Sequence, residues 1–117
     1  MLRFVVLTHD HPNWHWDFML ESNGVLRTWR LNQEPTLTTP IEATPLPDHR
    51  LKYLAYEGPV SGQRGHVLQW DHGQYQLLQE SPGILTIDLR GSKLQGQATL
   101  TSTAEGAVWF QFFPQEP

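Results

Sequence analysis

The sequence predicts an all-β fold, a small antiparallel β-barrel or sandwich of about eight strands with one long loop rich in proline and threonine. Three observations support this prediction. Apolar and polar residues alternate in short runs, and Gly, Pro and Asn separate these runs, as is typical of strands joined by turns. No stretch shows the 3.6-residue period of an amphipathic helix. The length of 117 residues suits one domain, which we place at 1–117.

The strands are assigned in chain order from this alternation. The first, "RFVVLTH", is followed by "WHWDFMLE" after a turn at Pro12-Asn13, and residues 22–24 then predict a hairpin turn. The long loop is placed at 32–48, which holds four prolines and four threonines, and residues 49–58 predict either a strand or a short helix. The predicted strands are 3–9, 14–21, 25–31, a hairpin over 66–80 that turns at Asp71-His72-Gly73, two strands within 83–102, and 107–114.

Composition and charge exclude several classes of protein. A formal net charge of −4 with only eight Lys and Arg argues against a protein that coats nucleic acid, although two or three local cations suffice to hold one phosphate. The absence of cysteine excludes disulfides, zinc ribbons and a thiol nucleophile, and it fits a reducing compartment, so we expect a cytoplasmic location. No apolar run approaches the roughly 18 residues of a membrane span, so we expect no membrane partner.

The second predicted strand carries a candidate metal site. Side chains two residues apart in a strand share a face, so His15 and Asp17 can converge on one ion, opposite the face of Trp16 and Phe18. His9, at the end of the preceding strand, is the candidate third ligand. Two imidazoles and one carboxylate leave coordination positions open for water or substrate. His-x-Asp is also common on plain solvent-exposed strand faces, so the spacing alone does not establish a metal site.

A second candidate pair is His49 and Tyr53, whose i, i+4 spacing places them on one face of a strand or helix. A histidine and a phenol can bind phosphate, or serve as an acid and the group that orients it. The alternative is that Tyr53 and Tyr56 are core aromatics and His49 is a surface residue. His66 and His72 flank the predicted hairpin, and we interpret both as surface residues.

Several stretches, in this order, resemble the 3′-phosphoesterase domain of bacterial DNA ligase D, the end-joining ligase. His9 and "HWDFMLE" keep the family spacing of a histidine, five residues and then His-aromatic-Asp-Phe. "NGVLRTW" is similar to the family's "DGVLKSW", and "DHRLKYLAYEG" to its Asp-His-Pro-Leu-x-Tyr and Phe-Glu-Gly blocks. "WDHG" and "GILTIDLRGSKLQG" complete the pattern, which extends from about residue 4 to residue 113.

The resemblance implies a divalent metal ion, usually manganese, that is bound by His9, His15 and Asp17, and the two imidazoles and one carboxylate also suit zinc. It implies that His49 is the active-site histidine and that Tyr53 is the tyrosine that follows it by four residues in the family. The activity it implies is a metal-dependent hydrolase that removes 3′ phosphates and 3′ ribonucleosides from nucleic-acid ends. The partners it implies are a nucleic-acid 3′ end, or another phosphate ester, and a DNA-repair ligase or polymerase.

The sequence also departs from the family pattern at phosphate-binding positions. Met19 stands in place of an arginine, Gln33 in place of a lysine, Pro47 in place of an acid and Leu7 in place of a glutamine. We expect the usual activity to be weakened or altered by these changes. Arg50, where the family usually has proline, is the first candidate for a compensating catalytic cation, and the further candidates are Arg27, Arg30 and Arg64.

Two other functions remain open on the sequence. The first is a non-catalytic metal-binding module that recognises nucleic-acid ends or a repair partner, which the changes at Met19, Gln33 and Pro47 favour. The second is a non-haem iron oxygenase, in which His15, Asp17 and a distal His66 or His72 form the facial triad.

Overall fold

The structure, a computed structural model that describes residues 1–116, is built on nine antiparallel strands and a single turn of 3₁₀ helix. Eight strands close into a barrel in the order β1-β2-β3-β4-β9-β8-β7-β6, with β6 returning to pair with β1, and β5 lies outside against β6. The 3₁₀ helix is Leu51–Leu54. The strands are β1 Leu2–His9, β2 His15–Ser22, β3 Val25–Leu31, β4 Ile41–His49, β5 Gly58–Pro59, β6 His66–Ser81, β7 Ile84–Gly91, β8 Gln95–Ser102 and β9 Val108–Pro114.

The barrel interior is filled by alternate residues of all eight strands, which confirms the all-β class and the core side of β2. Phe18 lies at its centre, with its ring centroid 5.1 Å from that of Phe110 on β9. The buried members of this inner cluster are Phe4, Val6, Phe18, Leu20, Trp29, Leu31, Ile41, Ala43, Tyr75, Leu85, Ile87, Leu89, Leu94, Ala98, Leu100, Phe110 and Phe112.

A second, smaller apolar cluster lies on the outer face of the barrel wall. Its buried members are Val5, Leu7, Met19, Leu26 and Val67. The segment after β4 covers them with the partly buried side chains of Leu51, Tyr53, Leu54, Tyr56 and Val60. The wall formed by β1, β2 and β3 is therefore buried on both faces, and polar residues on its outer face can lie in a protected site.

The prediction of an irregular loop over 32–48 is wrong for its second half, because Ile41–His49 forms β4. Ile41 and Ala43 alternate into the core, which is the strand signal that the prolines obscured. Pro45 and Pro47 are tolerated because β4 pairs with β9 only as far as Ala43, so beyond that point one edge of the strand needs no N–H donors. The register against β3 also shifts near Pro47, where a bulge forms.

The predicted hairpin at Asp71-His72-Gly73 is also wrong, because β6 runs unbroken through these residues. Asp71 is buried, and its carboxylate accepts hydrogen bonds from the backbone N–H groups of the turn between β7 and β8, at Ser92, Lys93 and Leu94, over 2.8–3.1 Å. A Cβ atom at Gly73 would lie 2.1 Å from the carbonyl oxygen of Arg90 on β7. Asp71 therefore stabilises the neighbouring turn and Gly73 allows close contact between β6 and β7, so neither residue marks a turn in β6.

The remaining predicted strands are confirmed, with ends that differ by no more than one residue for the first three and the last. Residues 83–102 form two strands as predicted, and the 3₁₀ helix is the short-helix alternative considered for 49–58. Among residues 1–116, no helix is both long enough and apolar enough to cross a membrane.

We expect Asp71→Ala to lower the free energy of unfolding by about 2–4 kcal/mol, because it leaves buried N–H groups of the β7–β8 turn without an acceptor. Urea unfolding followed by tryptophan fluorescence measures this loss. Asp88→Ala is the matched control, since the Asp88 carboxylate pairs with Arg90 near the surface at 2.9 Å. Its loss should stay below about 1 kcal/mol, and equal losses in the two variants would contradict the role given to Asp71.

Candidate metal centre and active site

The three predicted metal ligands meet at the end of the outer wall where β1 leads into β2. His9 is the last residue of β1 and lies directly opposite His15, the first residue of β2, while Asp17 follows two residues later on the same face. One ligand atom from each of the three residues lies within 4.8 Å of the other two. His15 and Asp17 are buried, and His9 is partly exposed to an adjoining cleft.

Hydrogen bonds to backbone carbonyl groups fix the proton on each imidazole. His9 donates from Nε2 to the carbonyl oxygen of Arg64 at 2.7 Å, and His15 donates from Nδ1 to that of Asn13 at 2.8 Å. A carbonyl oxygen only accepts, so these nitrogens carry protons, and in the neutral ring the opposite nitrogens present lone pairs that can bind a cation. Hydrogen bonds from the ring nitrogen that does not bind the metal orient imidazole ligands in metal sites.

The lone-pair nitrogens face the Asp17 carboxylate. His15 Nε2 lies 3.1 Å from Asp17 Oδ1, and His9 Nδ1 lies 3.4 Å from Asp17 Oδ2. His15 Nε2 and Asp17 Oδ1 are buried and form no hydrogen bond. Two acceptors in contact without a proton or a cation between them repel each other, and leaving such groups unsatisfied is costly. The donor set therefore fits one divalent cation, which would satisfy both atoms at once.

The turn before β6 holds His9 in place. The Gly65 carbonyl oxygen accepts the N–H of Val60 at 2.8 Å, and Asp10 accepts the N–H of His66 at 2.7 Å. This last bond keeps the pKa of the Asp10 carboxyl below its usual value. A Cβ at position 65 would lie 2.1 Å from Asp10 Oδ1, so Gly65, with φ of +77°, allows the close approach.

The candidate catalytic residues line the same cleft as the metal ligands, although they come from another part of the chain. The cleft has a volume of about 450 Å³. Its lining residues are His9, His11, Pro12, Asp17, Arg30, Leu46, Asp48, His49, Arg50, Tyr53, Val60 and Arg64. The structure thus brings His49, Arg50 and Tyr53 into one cleft with His9 and Asp17. His11, in the connection between β1 and β2, also lines the cleft.

His49 and Tyr53 form an edge-to-face pair at the wall of the cleft. His49 donates from Nδ1 to the carbonyl oxygen of Pro47 at 2.9 Å, so its Nε2 is the nitrogen left for substrate. The ring centroids of His49 and Tyr53 are 5.7 Å apart, and Tyr53 in turn packs edge-on against Tyr56. Tyr53 therefore belongs both to the cover of the outer cluster and to the cleft, which combines the two interpretations that its spacing allowed.

The arginines named as compensating cations differ in their surroundings. Arg50 is exposed at the cleft, whereas the Arg64 guanidinium donates to the carbonyl and hydroxyl oxygens of Ser61 at 2.7 and 3.1 Å. Arg30 lies directly opposite Asp17 in the β2–β3 register, and its buried Nε has no hydrogen-bond partner. Arg27 does not line the cleft, and its guanidinium pairs with Glu80 at 3.2 Å.

The positions that depart from the family pattern lie in different parts of the structure. Met19 shares the face of Asp17 and lies within the outer apolar cluster, where it borders a small cavity of about 40 Å³ beside His9, His49 and Tyr53. Gln33 is exposed and does not line the cleft. Pro47 contributes its carbonyl oxygen to His49.

The two histidines interpreted as surface residues, His66 and His72, are exposed. Among residues 1–116, the only group of three or more His, Cys, Asp or Glu side chains with metal-ligand spacing is His9, His15 and Asp17. The facial triad that would use His66 or His72 is therefore not assembled in the described part of the chain.

Comparisons with known proteins show that the chain is similar to one family. The family model described as the DNA ligase D 3′-phosphoesterase domain matches residues 7–102. The multifunctional non-homologous end joining protein LigD of Pseudomonas aeruginosa is 32% identical over 94% of this chain, and its counterpart from Mycobacterium tuberculosis is 32% identical over 91%. The LigD protein of Mycolicibacterium smegmatis is 28% identical over 92%. The chain spans 15–16% of the length of these relatives.

We expect His15→Ala to abolish or greatly weaken the binding of a divalent cation, because it removes one of three ligand atoms. Isothermal titration with Mn²⁺ and with Zn²⁺ measures the affinity. His72→Ala is the control, since this exposed histidine lies outside the cluster and should leave the affinity unchanged. Unchanged affinity in His15→Ala would show that the ion binds elsewhere.

Proposed function

The chain belongs to the DNA ligase D 3′-phosphoesterase domain family, and from this premise we propose that it is a metal-dependent phosphoesterase that acts on the 3′ end of a nucleic-acid strand. The observation that carries the proposal is the pair of buried, unsatisfied ligand atoms, His15 Nε2 and Asp17 Oδ1. They lie beside a cleft that His49, Tyr53 and three arginines also line.

We propose His9, His15 and Asp17 as the ligands of the ion, with Mn²⁺ as the preferred metal and Zn²⁺ as the alternative. Two imidazoles and one carboxylate suit both ions, and the supply of each ion in the cell contributes to the choice. When bound, the cation would withdraw charge from a phosphoryl oxygen and orient the phosphate group. The ligand set comes from paired strands, so its geometry is rigid before any ion or substrate arrives.

The other side of the cleft supplies proton transfer and charge stabilisation in this proposal. His49 presents Nε2 to the substrate because its Nδ1 is occupied by the Pro47 carbonyl group. We assign it the delivery of a proton to the 3′ oxygen as the bond from phosphorus to that oxygen breaks and the oxygen of a water molecule joins the phosphorus. Tyr53 holds the His49 ring by edge contact, and Arg50 lies where it can stabilise negative charge on the phosphoryl oxygens.

The names of the relatives suggest the setting of this activity. Those proteins are described as multifunctional non-homologous end joining proteins, and this chain matches about one seventh of their length. We propose that the chain processes nucleic-acid ends for a repair ligase or polymerase that is its partner.

A second candidate function is a module that binds metal and a phosphorylated 3′ end without hydrolysing it. The observation that favours it is the position of Met19, which lies next to the site and places an apolar side chain where the family resemblance implies an arginine. Both functions use the same cleft, but only the phosphoesterase hydrolyses the bound end.

We expect the manganese-loaded protein to release inorganic phosphate from an oligonucleotide with a 3′ phosphate, and a chelator to abolish the release. His49→Gln should lower kcat by about 100-fold or more, because general acid–base catalysis contributes on that scale, while Mn²⁺ affinity stays unchanged. His66→Gln is the control, since His66 is exposed and does not line the cleft. Tight binding of the 3′-phosphate end without any release of phosphate would instead establish the binding module.

The distribution of positive charge predicts a small nucleic-acid interface. Among residues 1–116, five Lys and Arg side chains have no carboxylate within 4.0 Å. Three of them, Arg30, Arg50 and Arg64, line the cleft. A fourth, Lys52, stacks against Tyr53, which is also a cleft residue. The fifth, Lys93, donates to the Trp70 carbonyl group. The cations outside this group are neutralised by Glu21, Glu80 and Asp88.

We therefore expect a shallow salt dependence of binding to a single-stranded 3′-phosphate oligonucleotide. Four phosphate contacts correspond to a slope of about −3 in a plot of log affinity against log salt concentration. Fluorescence anisotropy at several salt concentrations measures the slope. A slope steeper than about −5 would show that the protein binds an extended stretch of backbone instead of an end.

A further inference from the structure

We propose that Arg30 holds a phosphoryl oxygen beside the metal ligands, in addition to the charge stabilisation assigned to Arg50 at the exposed side of the cleft. The inference rests on the proposed function, which it deepens by assigning the phosphate subsite. Arg30 comes from β3, so this subsite lies across the strand ladder from Asp17 and not further along β2.

The strand register places Arg30 beside the metal ligands. Arg30 and Asp17 are directly opposite each other on neighbouring antiparallel strands, where Cα atoms lie about 4.5–5.5 Å apart. Trp29 belongs to the inner cluster, so the next residue along β3 faces outward, on the side of Asp17 and of the outer cluster residue Leu26. Arg30 accordingly lines the cleft together with Asp17 and His9.

The guanidinium of Arg30 lacks the partners that the other strand arginines have. Arg3, Arg27 and Arg90 each pair with a carboxylate at 2.9–3.2 Å. Arg30 has no such partner among residues 1–116, and its Nε is buried without a hydrogen bond. A buried charged donor is costly when nothing accepts from it, so its position beside a cleft indicates that the acceptor is a ligand.

The other cations of the cleft fit this role less well. The Arg64 guanidinium is already bonded to Ser61, and its backbone carbonyl group orients His9. Arg50 is exposed, so an anion bound to it remains in contact with water. Arg30 combines partial burial, free donors and a planar fork that matches two oxygens of a phosphate group.

Calorimetric titration of inorganic phosphate into the manganese-loaded protein tests the inference directly. Arg30→Gln should weaken phosphate binding by about tenfold or more, and Arg30→Lys should restore part of the affinity because it keeps the charge and loses the fork. Manganese affinity should stay the same or rise in Arg30→Gln, because a positive charge near the cation is removed. Arg27→Gln is the matched control on the same strand and should leave phosphate affinity unchanged.

A structural role is separated from phosphate binding by thermal melting of the metal-free protein. Arg30→Gln removes a buried donor that has no partner, so its Tm should be no lower than that of Arg27→Gln. A large fall in Tm with unchanged phosphate affinity would overturn the inference, as would a natural protein that binds no phosphate.

The two proposals fail in different ways. If the natural protein binds phosphate through Arg30 but releases none from a 3′ end, the catalytic function fails and the phosphate subsite stands. If the natural protein and Arg30→Gln release phosphate with the same KM and bind inorganic phosphate equally, the subsite assignment fails and the function stands.

Discussion

The central constraint in this structure is strand β1, which is paired on both edges and buried on both faces. It bonds to β2 on one side and to β6 on the other, and this second pairing closes the barrel. Phe4 and Val6 face the inner cluster, while Val5 and Leu7 face the outer one. A slip of one residue would exchange the two faces, so apolar packing on both sides fixes the register strongly. The same register sets His9 opposite His15 and next to the turn that contains Arg64, so the candidate metal centre is positioned by the core.

The cleft has a rigid side and a covering side. The metal ligands come from paired strands, whereas His49 and Tyr53 come from the end of β4 and from the 3₁₀ helix that covers the outer cluster. The bulge in β4 and the bond from His49 to Pro47 determine how the imidazole is presented. Residues that cover an apolar cluster thus also complete the cleft, and a substitution that loosens the cover will affect stability and site geometry together.

Local alternation predicted β1, β2 and β3 and the shared face of His15 and Asp17, because a period of two is visible within a single strand. The prediction was wrong where long-range contacts decide the structure. Pro45 and Pro47 resemble loop residues, yet they are accepted because one edge of β4 is unpaired there. Asp71 and Gly73 resemble a turn, yet they serve the β7–β8 turn and a close strand contact. The environment of Arg30 depends on which residue lies opposite it, and that pairing cannot be read from β3 alone.

The sheet offers two positions from which a cation can be placed beside a metal-binding aspartate. One is two residues along the same strand, roughly 6.5–7 Å away, where this chain has Met19. The other is directly across the ladder, about 5 Å away, where it has Arg30. At position 19 a guanidinium would have to share the outer apolar cluster with Leu26 and Val67, whereas at position 30 it borders the open cleft. With methionine at position 19, the segment after β4 can pack against β2, and the positive charge is supplied by Arg30 on β3. The change at Met19 alone therefore does not imply that phosphate binding is lost.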